Sequence, residues 1–327
     1  MKIILHVGPG KTGSSSIQRA LLQNSEIIRD NYKCQSLKIF RSNEGDHHQL
    51  ALLINQGEYS FLENQVYEKI YEAINTDNEA NYCIISSDLL ANISLNKLQE
   101  FCLFFRKKNI EISIAIVIRN LYEISLSTLQ QQIKNGRNIT DIHHYKPFTY
   151  FELLMKSNLL DAKTIYIPYS KNITKDFLKS ITNIDSTNID FSEPRLNTSI
   201  GYRQLKLLNY FNFFFEYPPK ANSLPIINCI RWAIMNTEPS SLPKFSQSEV
   251  FYLAEHFNYD AELILEFLPS IHNYLATSGC FYEENHTDNV GFTESVLSKL
   301  DILELESVFG IIQDQICSTD MIDSFTL

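Results

Sequence analysis

No two cysteines in this chain stand at the C-x-x-C spacing of a zinc or dithiol site. Cys34, Cys83, Cys102, Cys229, Cys280 and Cys317 are scattered, which excludes a compact thiolate framework and reads as reduced thiols. Basic excess is also missing. Lysine and arginine number 28 against 38 acidic residues, a formal charge of −10, so the basic face required for general nucleic-acid binding is not there. Any anionic ligand must be held by local positive charge. No stretch approaches the ~20 unbroken apolar residues of a membrane span. The apolar run before Gly8 is too short for the core of a secretory signal, so a cytoplasmic protein is expected. No metal-binding Asp/Glu pattern is obvious, and no internal repeat, low-complexity tract or clean linker interrupts the 327 residues. That length suits one large α/β domain with additions. The make-up, 44% hydrophobic and 20% charged, is that of an ordinary globular chain.

The densest local signal is the stretch Lys2-Ile3-Ile4-Leu5-His6-Val7-Gly8-Pro9-Gly10-Lys11-Thr12-Gly13-Ser14-Ser15-Ser16. A short apolar run breaks into a Gly/Pro turn that ends in a lysine and small hydroxyl residues. An amphipathic helix is predicted next, with Ile17, Ala20, Leu21 and then Ile27 and Ile28 at helical spacing. Strand, glycine turn and helix start together aim main-chain N–H groups and a helix dipole at an anion. Lys11 adds a mobile charge, and Thr12, Ser14, Ser15 and Ser16 add donors without bulk. A plain linker has no need of a lysine followed by hydroxyls, and residues 10–16 read as a phosphate cradle. The nucleotide P-loop G-x-x-x-x-G-K-[ST] is matched at Gly10-Lys11-Thr12, but its first glycine falls on Leu5, so that pattern fails.

Further along, strands are predicted around Leu37 to Phe40, at Tyr82 to Ile85, at Ile112 to Ile118 and at Thr164 to Ile167. Helices are predicted at Leu50 to Ile54, Phe61 to Ile74, Leu98 to Phe105, Tyr122 to Lys134, Phe148 to Leu154, Lys175 to Ile181 and Tyr202 to Phe215. Asn135-Gly136 is a C-terminal cap. Two more helices are expected at Ser248 to Phe257 and Ala261 to Phe267, and two amphipathic runs near Val296 to Leu305 and Val308 to Ile316. Strands alternating with helices over residues 1–136 imply parallel β-α-β units with right-handed crossovers. The fold class is therefore α/β: a P-loop-like parallel sheet flanked by helices, with additional C-terminal helices. Residues 1–270 are expected to form the α/β domain and residues 271–327 a helical extension packed on it. In parallel sheets ligands bind at the carboxyl ends of strands, which joins the Lys11 loop, Ser86 to Asp88, and Arg119 as candidates.

The order Lys11-Thr12-Gly13-Ser14-Ser15-Ser16, with the lysine ahead of the turn glycine, resembles the 5′-phosphosulfate loop of sulfotransferases that use 3′-phosphoadenosine 5′-phosphosulfate (PAPS). His6-x-Gly8-x-x-Lys11-Thr12-Gly13 is similar to the form in their bacterial and carbohydrate-directed members. Arg119, ending a strand, and Ser127, eight residues on, resemble that family's 3′-phosphate site. An arginine fork and a hydroxyl are chemically suited to phosphate oxygens. The run Ser127-Thr128-Leu129-Gln130-Gln131, the segments Tyr150-Phe151, Lys163 to Ile167 and Asp176-Phe177-Leu178, and the loop Arg195-x-Asn197-x-Ser199 extend the likeness over roughly residues 1–270. The resemblance implies sulfuryl transfer from PAPS to a hydroxyl or amine, with a saccharide or glycoconjugate acceptor favoured and lipid, peptide or small-molecule acceptors open. It implies that Lys11 stabilises the departing nucleotide, that Gly10 to Ser16 bind the 5′ end, that Arg119 and Ser127 hold the 3′-phosphate, and that Arg195, Asn197 and Ser199 return to the cofactor. No metal is needed.

A base must take the acceptor's proton. Asp88, in Ser86-Ser87-Asp88, stands where relatives of this kind place an acid, usually glutamate. His48 and His47, in Gly45-Asp46-His47-His48, offer imidazoles of suitable pKa. Asp88 comes first and His48 second. His143-His144 with Asp141 reads as a solvated loop rather than a metal site. His6 is either a packed strand histidine or an acceptor contact, and the aromatic cluster Tyr210 to Phe215 reads as core or interface. Two rivals remain: a P-loop kinase or NTPase, and a non-catalytic protein that keeps the fold.

Overall fold

Five short apolar runs lie side by side in the computed structural model, which describes residues 1–55, 60–76, 80–185, 200–213, 231, 234, 240–242, 244–277 and 280–281 (main chain only at 60–64). They are β1 (Lys2–His6), β2 (Cys34–Ser36), β3 (Tyr82–Ser86), β4 (Glu111–Ile118) and β5 (Lys163–Pro168). All pair in parallel in the order β2-β3-β1-β4-β5. β1 and β4 read as nearly continuous hydrophobic segments because both sheet faces are covered. Between the strands run α1 (Ser14–Gln23), α2 (Ser25–Tyr32), α3 (His48–Asn55), α4 (Ser60–Asn75) and α5 (Leu95–Lys107). After β4 come α6 (Leu121–Lys134), α7 (Phe151–Leu159), α8 (Ile173–Thr182), α9 (Tyr202–Asn212), α10 (Gln247–Phe267) and α11 (Pro269–Thr277). The expected α/β class with a parallel sheet, flanking helices and further C-terminal helices is the class observed.

The described residues divide into two compact units. The first takes those of 1–120, 149–197 and 260–281, and the second those of 121–148 and 198–259. In the first, Ile4, Ile84, Ala115, Val117 and Ile167 of the sheet pack with Ile17, Ala20 and Leu21 of α1, Ile28 and Tyr32 of α2, and Phe177, Leu178 and Ile181 of α8. Full burial of such aliphatic side chains is worth about 1.5–3 kcal/mol each. In the second unit, α9 lies along α6. The Asn209 side chain pairs with the main chain of Ile139 through both its oxygen (2.7 Å) and its nitrogen (2.8 Å). Asn212 donates to the Ile133 carbonyl at 2.7 Å, beside the Gly136 N–H that the same carbonyl accepts at 2.9 Å.

Three boundaries differ from expectation. The edge strand is Cys34–Ser36, paired with Tyr82–Ile84, rather than Leu37 to Phe40; Phe40 turns the chain at φ 56. The first helix ends at Asn24, whose side-chain amide donates to the Ala20 carbonyl at 3.0 Å. A second helix starts at Ser25, burying Ile28 and leaving Ile27 39% exposed. The helices expected at 248–257 and 261–267 are one, because the Asp260 carboxylate is drawn to the main chain of Tyr150 and Phe151 instead of breaking its own helix. Residues 296–316, where two amphipathic runs were expected, lie outside the described residues.

Candidate functional site

β1 is central, with β3 on one side and β4 on the other. The chain leaves β1 toward β2 and leaves β4 toward β5, so the connections part between β1 and β4. In open parallel sheets that parting is where ligands bind. Both strands reach it in register: Val7 N–H donates to the Ala115 carbonyl at 2.9 Å.

The loop after β1 is built from its own residues. Thr12 Oγ1 donates to the Pro9 carbonyl at 2.8 Å, so the hydroxyl expected to serve a ligand closes the turn. Gly13 sits at φ 87 as the N-cap of α1 with no side-chain cap. A Cβ there would stand 3.1 Å from Ile173 Cγ2 and 3.3 Å from Tyr169 Cε2, so both conformation and space demand glycine. Lys11 also has positive φ, 71, a conformation that costs a non-glycine residue about 1–2 kcal/mol. It is braced by Arg119, whose Nη1 donates to the Lys11 carbonyl at 2.6 Å. Ser14 is buried, Ser16 half-buried and Ser15 exposed.

Arg119 is itself held from three sides. Its N–H donates to the Tyr150 phenol oxygen at 2.9 Å, and the Tyr150 O–H donates back to the Arg119 carbonyl at 3.1 Å. The Cys280 thiol reaches the same carbonyl at 3.6 Å. The guanidinium lies over the Tyr169 ring, 4.4 Å from its centroid. Tyr150 is fully buried and Asp260 2% exposed. Asp260 accepts the N–H groups of Tyr150 and Phe151, both at 2.8 Å, where α7 begins. Burial pushes the Tyr150 phenol and the Cys280 thiol up, and the Asp260 carboxyl up against the pull of those two N–H groups.

On the other flank, Asp88 opens a 3₁₀ turn after β3, capped by Ser87, whose Oγ accepts the Leu89 N–H at 3.1 Å. An Asp88 oxygen would lie 3.9 Å from a Cβ on Gly10, so the carboxylate borders the loop. Burial lowers the Lys11 pKa, the Asp88 carboxylate opposes that shift, and the Arg119 charge adds to it. The lysine therefore feels an anion from the β3 side and a cation from the β4 side.

The two adjacent histidines part ways. His47 is fully buried. Its Nδ1 accepts the Ser86 N–H at 3.2 Å and its Nε2 donates to the Leu37 carbonyl at 2.9 Å, leaving no lone pair for a substrate proton. Burial holds its pKa down. His48, partly exposed, contacts Ser87 Oγ through Nδ1 at 2.7 Å, on the same strand end as Asp88. His143 and His144 belong to a short turn of the second unit, where Asp141 accepts the His143 N–H at 2.9 Å. Among the described residues no group of three or more His, Cys, Asp or Glu side chains could share a metal ion, and no helix is long and apolar enough to cross a membrane.

The structure thus brings together Gly10, Lys11, Asp88 and Arg119, with His48 on the strand end that carries Asp88. Ser127 lies half-buried on α6 of the second unit. Arg195, Asn197 and Ser199 lie outside the described residues. No local spacing points to Tyr169, Asp260 or Cys280, and Tyr150 is known from the sequence only as part of the family likeness; Tyr150 and Cys280 reach Arg119 from 31 and 161 residues along the chain.

The loop's donor set suits an oxyanion. The α1 N-terminus has no side-chain cap, and Ser14 Oγ and His6 Nε2 are buried without a hydrogen-bond partner among the described residues. Helix start, orphan donors and a lysine are what a phosphate or sulfate group would satisfy. No protein-family model matches the chain, and no curated protein matches it. A solved chain from work on the PezAT chromosomal toxin–antitoxin system of Streptococcus pneumoniae matches over 57% of this chain and 80% of its own, at 14% identity and a TM-score of 0.27, too loose a superposition to carry an inference.

Proposed function

We propose that this chain is a PAPS-dependent sulfotransferase that moves a sulfuryl group to a hydroxyl or amine, with a saccharide acceptor and a cytoplasmic setting favoured. The observation that carries the reading is the placement of Lys11: at the end of the central strand, on a glycine-flanked loop opening a helix, between Arg119 and Asp88. PAPS would supply an electrophilic sulfuryl group already carrying a good leaving nucleotide. The protein's work is then positioning and charge neutralisation. Main-chain N–H groups at the start of α1 hold the 5′ anion, Lys11 donates to the oxygen on which charge collects, and Arg119 adds positive charge while fixing the loop. Asp88 takes the acceptor's proton, with His48 the second candidate.

A kinase reading shares the strand–loop–helix geometry, and Asp88 after β3 imitates a magnesium-binding carboxylate. Incubation with labelled PAPS and a panel of saccharide, lipid, peptide and small-molecule acceptors separates the two. Label transfer without added magnesium, abolished by Lys11→Ala in a folded protein, is the expected result. Full transfer by Lys11→Ala would remove the lysine's role, and phosphoryl transfer from Mg-ATP without sulfuryl transfer would replace the reading.

A further inference from the structure

His6, the last residue of β1, is 1% exposed and packs its ring against Phe177, with centroids 4.9 Å apart. Its Nδ1 stands 2.8 Å from Ser86 Oγ. That hydroxyl accepts the Gln18 amide N–H at 3.1 Å, and among the described residues its own proton has no acceptor in reach but His6 Nδ1, an arrangement that places the imidazole proton on Nε2. Nε2–H has no acceptor among the described residues, and neither has the hydroxyl of Ser14, the first residue of α1. Both are gathered at Gly8. A Cβ on Gly8 would stand 3.1 Å from Ser14 Oγ and from Thr12 Oγ1 and 3.5 Å from His6 Nε2. Buried donors are nearly always paired, and here two of them meet under a loop whose helix start is itself uncapped.

We propose that His6 is an anion-binding residue of this loop. Its Nε2–H, together with Ser14 Oγ–H, donates to an oxygen of the phosphate or sulfate group seated at the start of α1. The inference rests on the reading of this loop as the seat of the cofactor's 5′ end. His6 acts there as a neutral donor: burial holds its pKa down to about 4, so Lys11 supplies the charge and His6 supplies direction. Ser86 and Gln18 are positioning residues that fix the tautomer.

The test uses the full chain labelled with ¹⁵N-histidine and three probes: adenosine 3′,5′-bisphosphate, adenosine 3′-monophosphate and inorganic sulfate. In the free protein the His6 spectrum is expected to show the Nε2–H tautomer. Its proton should move downfield with the bisphosphate and stay put with the 3′-monophosphate, which lacks the 5′ group. His6→Leu should weaken bisphosphate binding about tenfold, the loss of one hydrogen bond to a charged acceptor, and leave 3′-monophosphate binding unchanged. His6→Gln, which returns an N–H near the position of Nε2, should recover most of the loss. Bisphosphate binding with no movement of the His6 signal, or with undiminished affinity in folded His6→Leu, overturns the His6 assignment and leaves the cofactor reading standing. A His6 signal that moves equally with sulfate and bisphosphate, at equal affinity, keeps His6 as an anion donor and overturns the cofactor reading. Binding of none of the probes overturns both. The spectra of the unmutated chain decide the matter even where His6→Leu fails to fold.

Discussion

Lys11 occupies a left-handed conformation, and the residue that braces its carbonyl is 108 positions away. Arg119 reaches the Lys11 carbonyl and is in turn clamped through its own main chain by Tyr150. Tyr150→Phe removes the acceptor of the Arg119 N–H and the donor to its carbonyl. The expected cost is about 1–3 kcal/mol, read as a lower denaturant midpoint, with adenosine 3′,5′-bisphosphate affinity falling alongside. A second residue-scale prediction concerns acid. His6 stays unprotonated in the fold down to about pH 4, whereas the unfolded chain protonates near the ordinary value of about 6.5. Between these values the unfolded state binds more protons, so stability falls as pH drops; His47, shifted the same way, adds to the fall. For His6 alone the loss is about 2 kcal/mol between pH 7.5 and pH 5. Urea unfolding at both pH values should show that drop in the natural chain and a smaller one in His6→Gln; an equal drop in both would clear His6 of the effect.

Elements, rather than single residues, explain which parts of the fold were legible. β1, β3 and β4 announce themselves because a strand buried on both faces must be apolar along its length, the edge strand β5 shows through its Ile165-Tyr166-Ile167 run, and their parallel direction follows from the intervening helices. β2 escaped because Cys34-Gln35-Ser36 owes its pairing to the neighbouring β3 and not to its own composition. Asn24 hid a helix break, since the apolar spacing from Ile17 to Ile28 runs straight across it. Asp260 produced the opposite error: a residue that disfavours helix interiors sits inside α10 because its carboxylate caps another helix from a distance. The Lys11 loop was legible as an anion cradle from its glycines and hydroxyls, whereas Thr12's inward bond and the supports of Arg119 depend on contacts no local spacing displays. The glycines of that loop are not equivalent. Gly13→Ala meets Ile173 and Tyr169 in a left-handed conformation and should destabilise by about 1–2 kcal/mol before any clash is counted. At Gly10 a Cβ finds only Asp88, at 3.9 Å, so Gly10→Ala should leave the thermal midpoint nearly unchanged. Melting curves of the two variants compare them directly.

For the molecule as a whole, a formal charge of −10 makes a general attraction for anions impossible, so affinity for one must be local. The sheet order supplies the locality. It sets the loop of the central strand between two strand ends and brings Lys11 and Arg119 to one edge, where the Arg119 guanidinium lowers the proton affinity of Lys11 and braces its main chain. A doubly phosphorylated adenosine held by this edge is the claim from which the proposed chemistry follows. Calorimetric titration of the natural chain with adenosine 3′,5′-bisphosphate in the presence of a chelator, set beside titration with Mg-ATP, tests it most directly. The account predicts metal-independent binding of the bisphosphate, tighter than Mg-ATP and weakened about 10- to 100-fold by Lys11→Ala or Arg119→Ala, the loss of a charge-assisted contact. Binding of Mg-ATP in preference to the bisphosphate, or bisphosphate affinity untouched by both substitutions, would contradict it.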